Sequence, residues 1–383
     1  MPKSAQDLRG EALASVSEGD SSESARRIDG VSAVVCNYNG REYLEDCLRS
    51  VLAQDPDEVI VVDNASDDGS RELVRERFPE VELIALAAND GPCVARNVGM
   101  RAARHRFVLA VDNDAVLEAG VLAKLRAALE ERPDAVVAQP RSVVHDDPST
   151  VHYDGGAFHY VGLLALRNFY RPRAEAEAED ERRGRVVDTD ALIGISPLLD
   201  RDVVLSVGGY DEAFFYLAED YDLALRLRLT GARILAVGDA VVLHRGGTAG
   251  LSFRGGGYPQ ARTRLHAKNR WRVVAKAYRA RTLLLAAPGL LLYELVWLAF
   301  ALLQGQLGAH LAGKLAFLRE LPSACAARRA VQRSRRVPDR ELLVGGPLTL
   351  SPSLVEKPLA RFLSRGVDLT LGAWWTLVRP FCG

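Results

Sequence analysis

Three short apolar runs in the N-terminal third of this chain each stop abruptly at a cluster of Asn and Asp, and that repeat constrains the fold more than any other feature. Val31 to Cys36 ends at Asn37-Tyr38-Asn39-Gly40, and Glu58 to Val62 ends at Asp63-Asn64-Ala65-Ser66-Asp67-Asp68-Gly69-Ser70. Phe107 to Val111 ends at Asp112-Asn113-Asp114. Between the runs the period changes. Tyr43, Leu44, Cys47, Leu48, Val51 and Leu52 recur at three and four residues, the spacing of a helix with one apolar face, and Leu73, Val74 and Phe78 mark a second helix. Val81 to Leu86 reads as strand, Val94 to Ala103 and Leu117 to Leu129 as helices, and Ala135 to Gln139 as strand. Strands alternating with helices predict an α/β fold with a mostly parallel central sheet flanked by helices. Ligands of such sheets sit outside the carboxyl ends of the strands, so the polar clusters are expected to share one crevice.

Periodicity weakens from about Asp146, and Arg171 to Arg185 is so charged that it predicts a solvated loop or short exposed helix. Order resumes at Ala191 to Leu199. Asp220 to Leu229 predicts a helix closed by a left-handed Gly231, followed by strands over Arg233 to Val237 and Val241 to Leu243. With 383 residues, 48% of them hydrophobic, the chain can bury a large core, which excludes disorder throughout. Its 49 basic and 50 acidic residues give no reason to expect a nucleic-acid partner. Five cysteines lack the paired spacing of a thiolate zinc site or redox pair. Residues 1–29 lack the apolar segment of a secretion signal and are expected to form a mobile leader.

Carboxylates two apart at a strand end, Asp112 and Asp114, suit a hard divalent cation bridging phosphate oxygens, or equally a turn whose carboxylates cap nearby amides. Asp63, in the same topological place, is a candidate for holding a nucleotide's base or ribose, against loop capping. Glu219-Asp220 follows the aromatic run Phe214-Phe215-Tyr216, which would desolvate a carboxylate and raise its pKa toward that of a general base. An acidic first helical turn is the plainer reading of the same pair. His244 is a candidate metal ligand or phosphate contact, or a satisfied structural histidine. Arg96, Arg262, Arg264, Lys268 and Arg270 are candidates to face a diphosphate or anionic lipid heads. The remaining histidines show no ligand spacing.

The blocks VSAVVCNYNG (from Val31), EVIVVDNASDDGS (from Glu58), NDGPCVARNVGMRAA (from Asn89), FVLAVDNDAVL (from Phe107) and GGYDEAFFYLAEDYDLALRLRLTG (from Gly208) occur in order, with Val242-Leu243-His244 after them. Together they resemble the inverting family 2 glycosyltransferases of the A-type nucleotide-diphospho-sugar transferase fold, especially the rhamnosyltransferase-like branch of bacterial surface-polysaccharide enzymes. The resemblance implies a catalytic domain over 30–265. It implies Asp63 at the nucleotide base, Asp112 at the ribose or metal-bound phosphate, and Asp114 as a direct ligand of Mg2+ or Mn2+ with His244 as a further contact. Asn37, Asn39, Asn89 and Arg96 would join the donor site. Asp220 would be the general base, with Glu219 orienting the acceptor. The donor implied is a UDP- or dTDP-linked sugar, and the acceptor a lipid-linked or growing glycan. Relatives in that branch often carry Leu-Asn-Pro-Asp where this chain has Val111-Asp112-Asn113-Asp114, and Ser196-Pro197 is unusual on the acceptor side, so sugar and acceptor do not carry over. Without a glutamine at the required spacing before Arg270-Trp271, the motif of processive synthases is lacking, which favours one sugar per encounter.

Leu283 to Leu303 holds one charge, Glu294, and as a helix reaches about 30 Å, enough to cross a hydrocarbon layer. Eight Lys or Arg and no acidic residue occupy Arg262 to Arg281, and further arginines follow Leu321. Residues 266–340 are therefore expected to bind the cytoplasmic leaflet of the cell membrane as a peripheral, monotopic or re-entrant element, with a soluble helical subdomain as the alternative. Residues 341–383 form an extension without an expected role. A nucleotidyltransferase of related fold and a non-catalytic scaffold in a polysaccharide-assembly complex are the competing readings of function. The first lacks a Gly-rich basic phosphate loop at Asn37 to Gly40, and Asp114 and Asp220 speak against the second.

Overall fold

The computed structural model describes residues 28–246, 258–350 and 358–383. The expected leader lies outside the described residues except for its last two, which open the first strand. Chain order runs β1 (Ile28–Asn37), α1 (Arg41–Leu52), β2 (Glu58–Asp63), α2 (Ser70–Arg77), β3 (Glu82–Ala85), α3 (Pro92–Ala102), β4 (His105–Asp112), β5 (Ala115–Leu117), α4 (Val121–Glu131) and β6 (Ala135–Val144). Then come β7 (Asp147–Tyr153), β8 (Gly156–His159), β9 (Leu163–Leu166), α5 (Arg173–Arg183), β10 (Val186–Thr189), β11 (Leu198–Asp200), α6 (Arg201–Ser206), α7 (Glu219–Leu229) and β12 (Arg233–His244). The C-terminal part comprises α8 (Gln260–Ala277), α9 (Ala280–Leu303), α10 (Leu307–Ser334), α11 (Asp339–Leu342), β13 (Leu343–Val344) and α12 (Pro358–Val378).

Ten strands form the main sheet, in the order β10-β12-β6-β11-β4-β1-β2-β3, with β5 on β12 and β7 on β6. β3, β2, β1 and β4 are parallel, and β6 and β12 point the same way across the short reversed strand β11. The remaining strands, β5, β7 and β10, run antiparallel at the far side. The α/β expectation therefore holds with a mixed sheet. Two of its reversed strands, β7 and β10, fall in the stretch where periodicity is weak, and β5, β10 and β11, at three or four residues, carry too few alternations to be legible. Leu117, expected on a helix, instead ends β5 opposite Val242. The charged run became the helix α5, and it is not wholly solvated: Asp180 is buried, accepting from the fully buried Arg141 at 2.7 Å.

Order reverses between β1 and β4, the switch point at which a doubly wound sheet opens a crevice. Register brings the polar clusters level, with Asn37 beside Asp63 and Cys36 beside Asp112. Alternate residues of β1 feed separate cores on the two sheet faces, Val34 one and Ala33 and Val35 the other. α3 packs so closely on β1 that a Cβ at Gly99 would lie 2.2 Å from a Val34 methyl carbon.

α8 runs through the point where the sequence suggests a boundary. Val273, Val274, Leu290, Tyr293 and Trp297 belong to the same apolar core as Val34 and Ile60. Glu294, the lone charge of the apolar stretch, points inward and takes hydrogen bonds from Arg270 and from Trp271 Nε1. Lys314 of α10 pairs with its other oxygen. Burial works against ionisation there, but Arg270 and Lys314 outweigh it and hold the Glu294 carboxyl down at about 2.

Candidate active site

A hollow of about 940 Å³ opens at the carboxyl ends of β1 and β4. Asn37, Asn39, Asn89, Arg96, Asp112, Asp114, Glu219, Asp220 and His244 all border it, as does Arg262. Asp63 does not. It lies fully buried beneath the wall, accepting from Asn37 Nδ2 at 2.9 Å and Ser66 N at 3.0 Å, and from Arg71 Nε. Burial raises its pKa, but those bonds prevail and hold it below the ordinary carboxylate range. The asparagines above it are tied to loops. Asn113 Nδ2 donates to Asn37 Oδ1 at 2.7 Å, Asp67 N to Asn39 Oδ1 at 3.0 Å, and Asn64 Nδ2 to Asn89 Oδ1 at 2.8 Å.

On one side of the hollow, ligand atoms of Asp112, Asp114 and His244 lie within 4.8 Å of one another. Sheet register assembles this trio: His244, the last residue of β12, pairs with Ala115, and Arg245 N donates to Asp114 O at 3.1 Å. His244 Nε2 stands 3.4 Å from Asp114 Oδ1, while its Nδ1 lies 3.2 Å from Nδ1 of His152, whose ring stacks on it. Two carboxylates and an imidazole fit Mg2+ or Mn2+, with His152 able to fix the orientation of the ligating ring. Burial, and the neighbouring Asp114, raise the Asp112 pKa against the pull of Arg96. A bound cation would relieve that crowding.

Arg96, carried by α3 and buried, joins this trio to the opposite side. Its Nη2 donates to Asp112 Oδ1 at 2.7 Å and to Gly194 O at 3.3 Å. Its Nη1 faces Asp220 Oδ1 at 3.5 Å and Glu219 Oε1 at 3.7 Å. The acidic pair opens α7 after two non-glycine residues in the left-handed region, Leu217 (φ 70°) and Ala218 (φ 69°). Such backbone persists only where its surroundings enforce it. Here the enforcing group is Asn269 of α8, whose Nδ2 donates to the carbonyls of Tyr216 at 2.8 Å and Leu217 at 2.7 Å. Gly194 N donates to Asp220 Oδ2 at 3.0 Å, and a Cβ at Gly194 would come within 2.4 Å of Asp220 Oδ1.

Burial and the adjacent Asp220 charge push Glu219 up to about 7. Burial also raises Asp220, opposed by Arg96 and by the Gly194 amide. The Asp220 side chain is 24% exposed and that of Glu219 8%, so Asp220 is the carboxylate an incoming group meets first. His152, Gly194 and Asn269 were missed by sequence reasoning, and no local signal marks them, since each acts on a partner distant in the chain.

Residues 32–181 match the family model described as Glycosyl transferase family 2. Over that stretch the chain is similar to the glycosyl transferases of family 2. TuaG of Bacillus subtilis, a putative teichuronic acid biosynthesis glycosyltransferase, is 38% identical over 89 residues, 22% of this chain and 35% of that protein. ExoO of Rhizobium meliloti, a succinoglycan biosynthesis protein, is 39% identical over 116 residues, 30% of this chain and 32% of its own length. The chain thus spans about a third of each of these relatives. Among solved structures, GalNAc-T7 with UDP, GalNAc and Mn2+ superposes with a TM-score of 0.53 at 15% identity, covering 75% of this chain and 60% of that one, a likeness of fold. The stretch matching the family 2 model contains Asp63, Arg96, Asp112 and Asp114, whereas Glu219, Asp220 and His244 reach the hollow from beyond it.

Proposed function

We propose that this protein is an inverting, metal-dependent glycosyltransferase of the rhamnosyltransferase-like kind that acts in building a cell-surface polysaccharide. It moves one sugar per encounter from a UDP- or dTDP-linked donor to a hydroxyl of a lipid-linked or growing glycan. One observation carries the reading: a single hollow holds a cation-ligand trio and, across Arg96, a partly shielded aspartate. The names of TuaG and ExoO, which refer to teichuronic acid and succinoglycan biosynthesis, support a polysaccharide product.

Asp112, Asp114 and His244 would hold Mg2+ or Mn2+, which when bound neutralises charge on the departing diphosphate. Asp220 accepts the proton of the acceptor hydroxyl, whose oxygen bonds to the anomeric carbon. The bond from that carbon to the diphosphate oxygen breaks, its electron pair leaves with the nucleoside diphosphate, and configuration inverts. Arg96 keeps Asp112 and Asp220 at fixed separation, and Glu219 borders the acceptor. Asp63 acts from beneath, holding Asn37 and the Ser66 turn as the shelf for the nucleotide. The same reading puts the chain at the cytoplasmic face of the cell membrane.

The test is a screen of nucleotide sugars with Mn2+ present and absent, read by nucleoside diphosphate release and donor calorimetry. Asp114→Asn should abolish metal-dependent donor binding, and Asp220→Asn should spare binding while suppressing transfer. Pyrophosphate release would point to nucleotidyl transfer, and no turnover with any donor to a scaffold.

A further inference from the structure

Helix α9 is amphipathic in the wrong sense for a helix facing water. Its buried side carries Thr282, Tyr293 and Trp297, and Glu294 turns inward. Beyond Arg281 its exposed residues are all apolar, among them Leu284, Leu291, Leu295, Val296, Leu302 and Leu303. A surface helix in water shows the reverse distribution. The first half of α10 continues the pattern, with Leu307, Leu311, Leu315 and Leu318 exposed at helical spacing. So does α12, with Leu359, Phe362, Leu363, Leu369 and Leu377. α9 adjoins both neighbours, through Glu294 with Lys314 of α10 and through the Trp374 Nε1 bond from α12 to Leu285 O. Contiguous apolar exposure on this scale marks a binding surface.

Charge identifies the occupant. The acidic residues of α9, α10 and α12 are Glu294, Glu320 and Asp368, none exposed and each bonded inward, to Arg270, to Lys268 and to Leu348 N. Arginines are exposed on all three helices: Arg281, Arg319, Arg329, Arg333, Arg361 and Arg365. An apolar face bordered by outward cations and without outward anions complements the headgroup and acyl boundary of an anionic leaflet.

Among the described residues, α9 alone is long and apolar enough to cross a membrane, by length and composition. Its contacts argue otherwise. Buried positions recur from Thr282 through Ala286, Leu290, Tyr293 and Trp297 to Ala301, so the helix stays against the protein for nearly its whole length. Crossing would draw α8 into lipid with it, together with Arg262, Arg264, Lys268, Arg270, Arg272 and Lys276. We propose that the outward faces of α9, the first half of α10 and α12 form one docking surface for an anionic bilayer, along which α9 lies in the interface without crossing. This rests on the membrane part of the functional reading and not on the catalytic part.

The full chain is to be mixed with vesicles of phosphatidylcholine alone or containing phosphatidylglycerol, then sedimented and the pellets extracted with alkaline carbonate. Binding that requires phosphatidylglycerol and is released by carbonate is expected. Leu291→Glu with Leu295→Glu, and separately Phe362→Glu with Leu363→Glu, should each weaken binding by about tenfold or more, the substituted positions being exposed. Nucleoside diphosphate release from the donor should persist in both. No sedimentation with either vesicle overturns the membrane reading itself. Resistance to carbonate overturns the in-plane placement and supports a span. A lipid-free dimer that the same substitutions dissociate, with vesicle binding unchanged, gives the face to a second copy and overturns the proposal.

Discussion

Asp220 is held by an absence: the missing side chain at Gly194 leaves the space its carboxylate occupies, and the Gly194 amide bonds to it. Gly194→Ala should therefore displace Asp220 and lower kcat by about a hundredfold, the scale of general-base catalysis, with donor affinity unchanged by calorimetry. Asp220 and Glu219 face each other's charge, and the neutral form of Glu219 is favoured by the fold. Its pKa is raised to about 7, so its contribution to stability is complete below the ordinary carboxylate pKa and is lost as pH rises through about 7. Gln is neutral throughout. Glu219→Gln should thus gain in Tm over wild type on going from about pH 5 to about pH 8, measured without metal; parallel Tm curves would refute the shift. These acidic residues were legible in the sequence because each cluster is contiguous and follows a recognisable strand or aromatic run. Gly194, His152 and Asn269 were not, because each matters only through a residue brought near by folding. Asp63 was legible as a polar strand-end residue, but its burial beneath Asn37, off the hollow, depends on Arg71 and Ser66, which its position at a strand end does not disclose.

At the scale of elements, α8 and α7 meet at the strained turn before Glu219. Asn269→Ala would leave the Tyr216 and Leu217 carbonyls without that donor, at a cost of about 1–3 kcal/mol in denaturant unfolding. It should also lower kcat more than it changes donor KM, since the turn orients the acidic pair and not the cation ligands. The alternating half of the sheet was readable from β1 to β4 because β1, β2 and β4 run six residues or more and the four-residue β3 falls between two helices in the same alternation. β8 to β11, at three or four residues each, were not, and the direction of β11 is set by its neighbours β4 and β6.

For the molecule as a whole, one core joins the sheet to the C-terminal helices. A chain ended near Arg262 would expose that core, so it should be recovered aggregated or without near-ultraviolet circular dichroism, while the full chain is folded. Added Mn2+ should raise the Tm of the full chain by selective binding to the folded state and should leave Asp114→Asn unmoved. The apolar stretch Leu283 to Leu303 was evident from hydropathy. What hydropathy conceals is direction, and Glu294 turns inward, onto Arg270 and Trp271.

α8 has a double attachment. Lys268 and Asn269 grip the segment from Ala213 to Leu217, while the next residue, Arg270, clamps Glu294 of the greasy helix beneath. Under the proposed docking, a displacement of α9 on a bilayer reaches the turn before Glu219 through Arg270 and Asn269, so turnover on vesicles and turnover in free solution should differ even for a water-soluble acceptor.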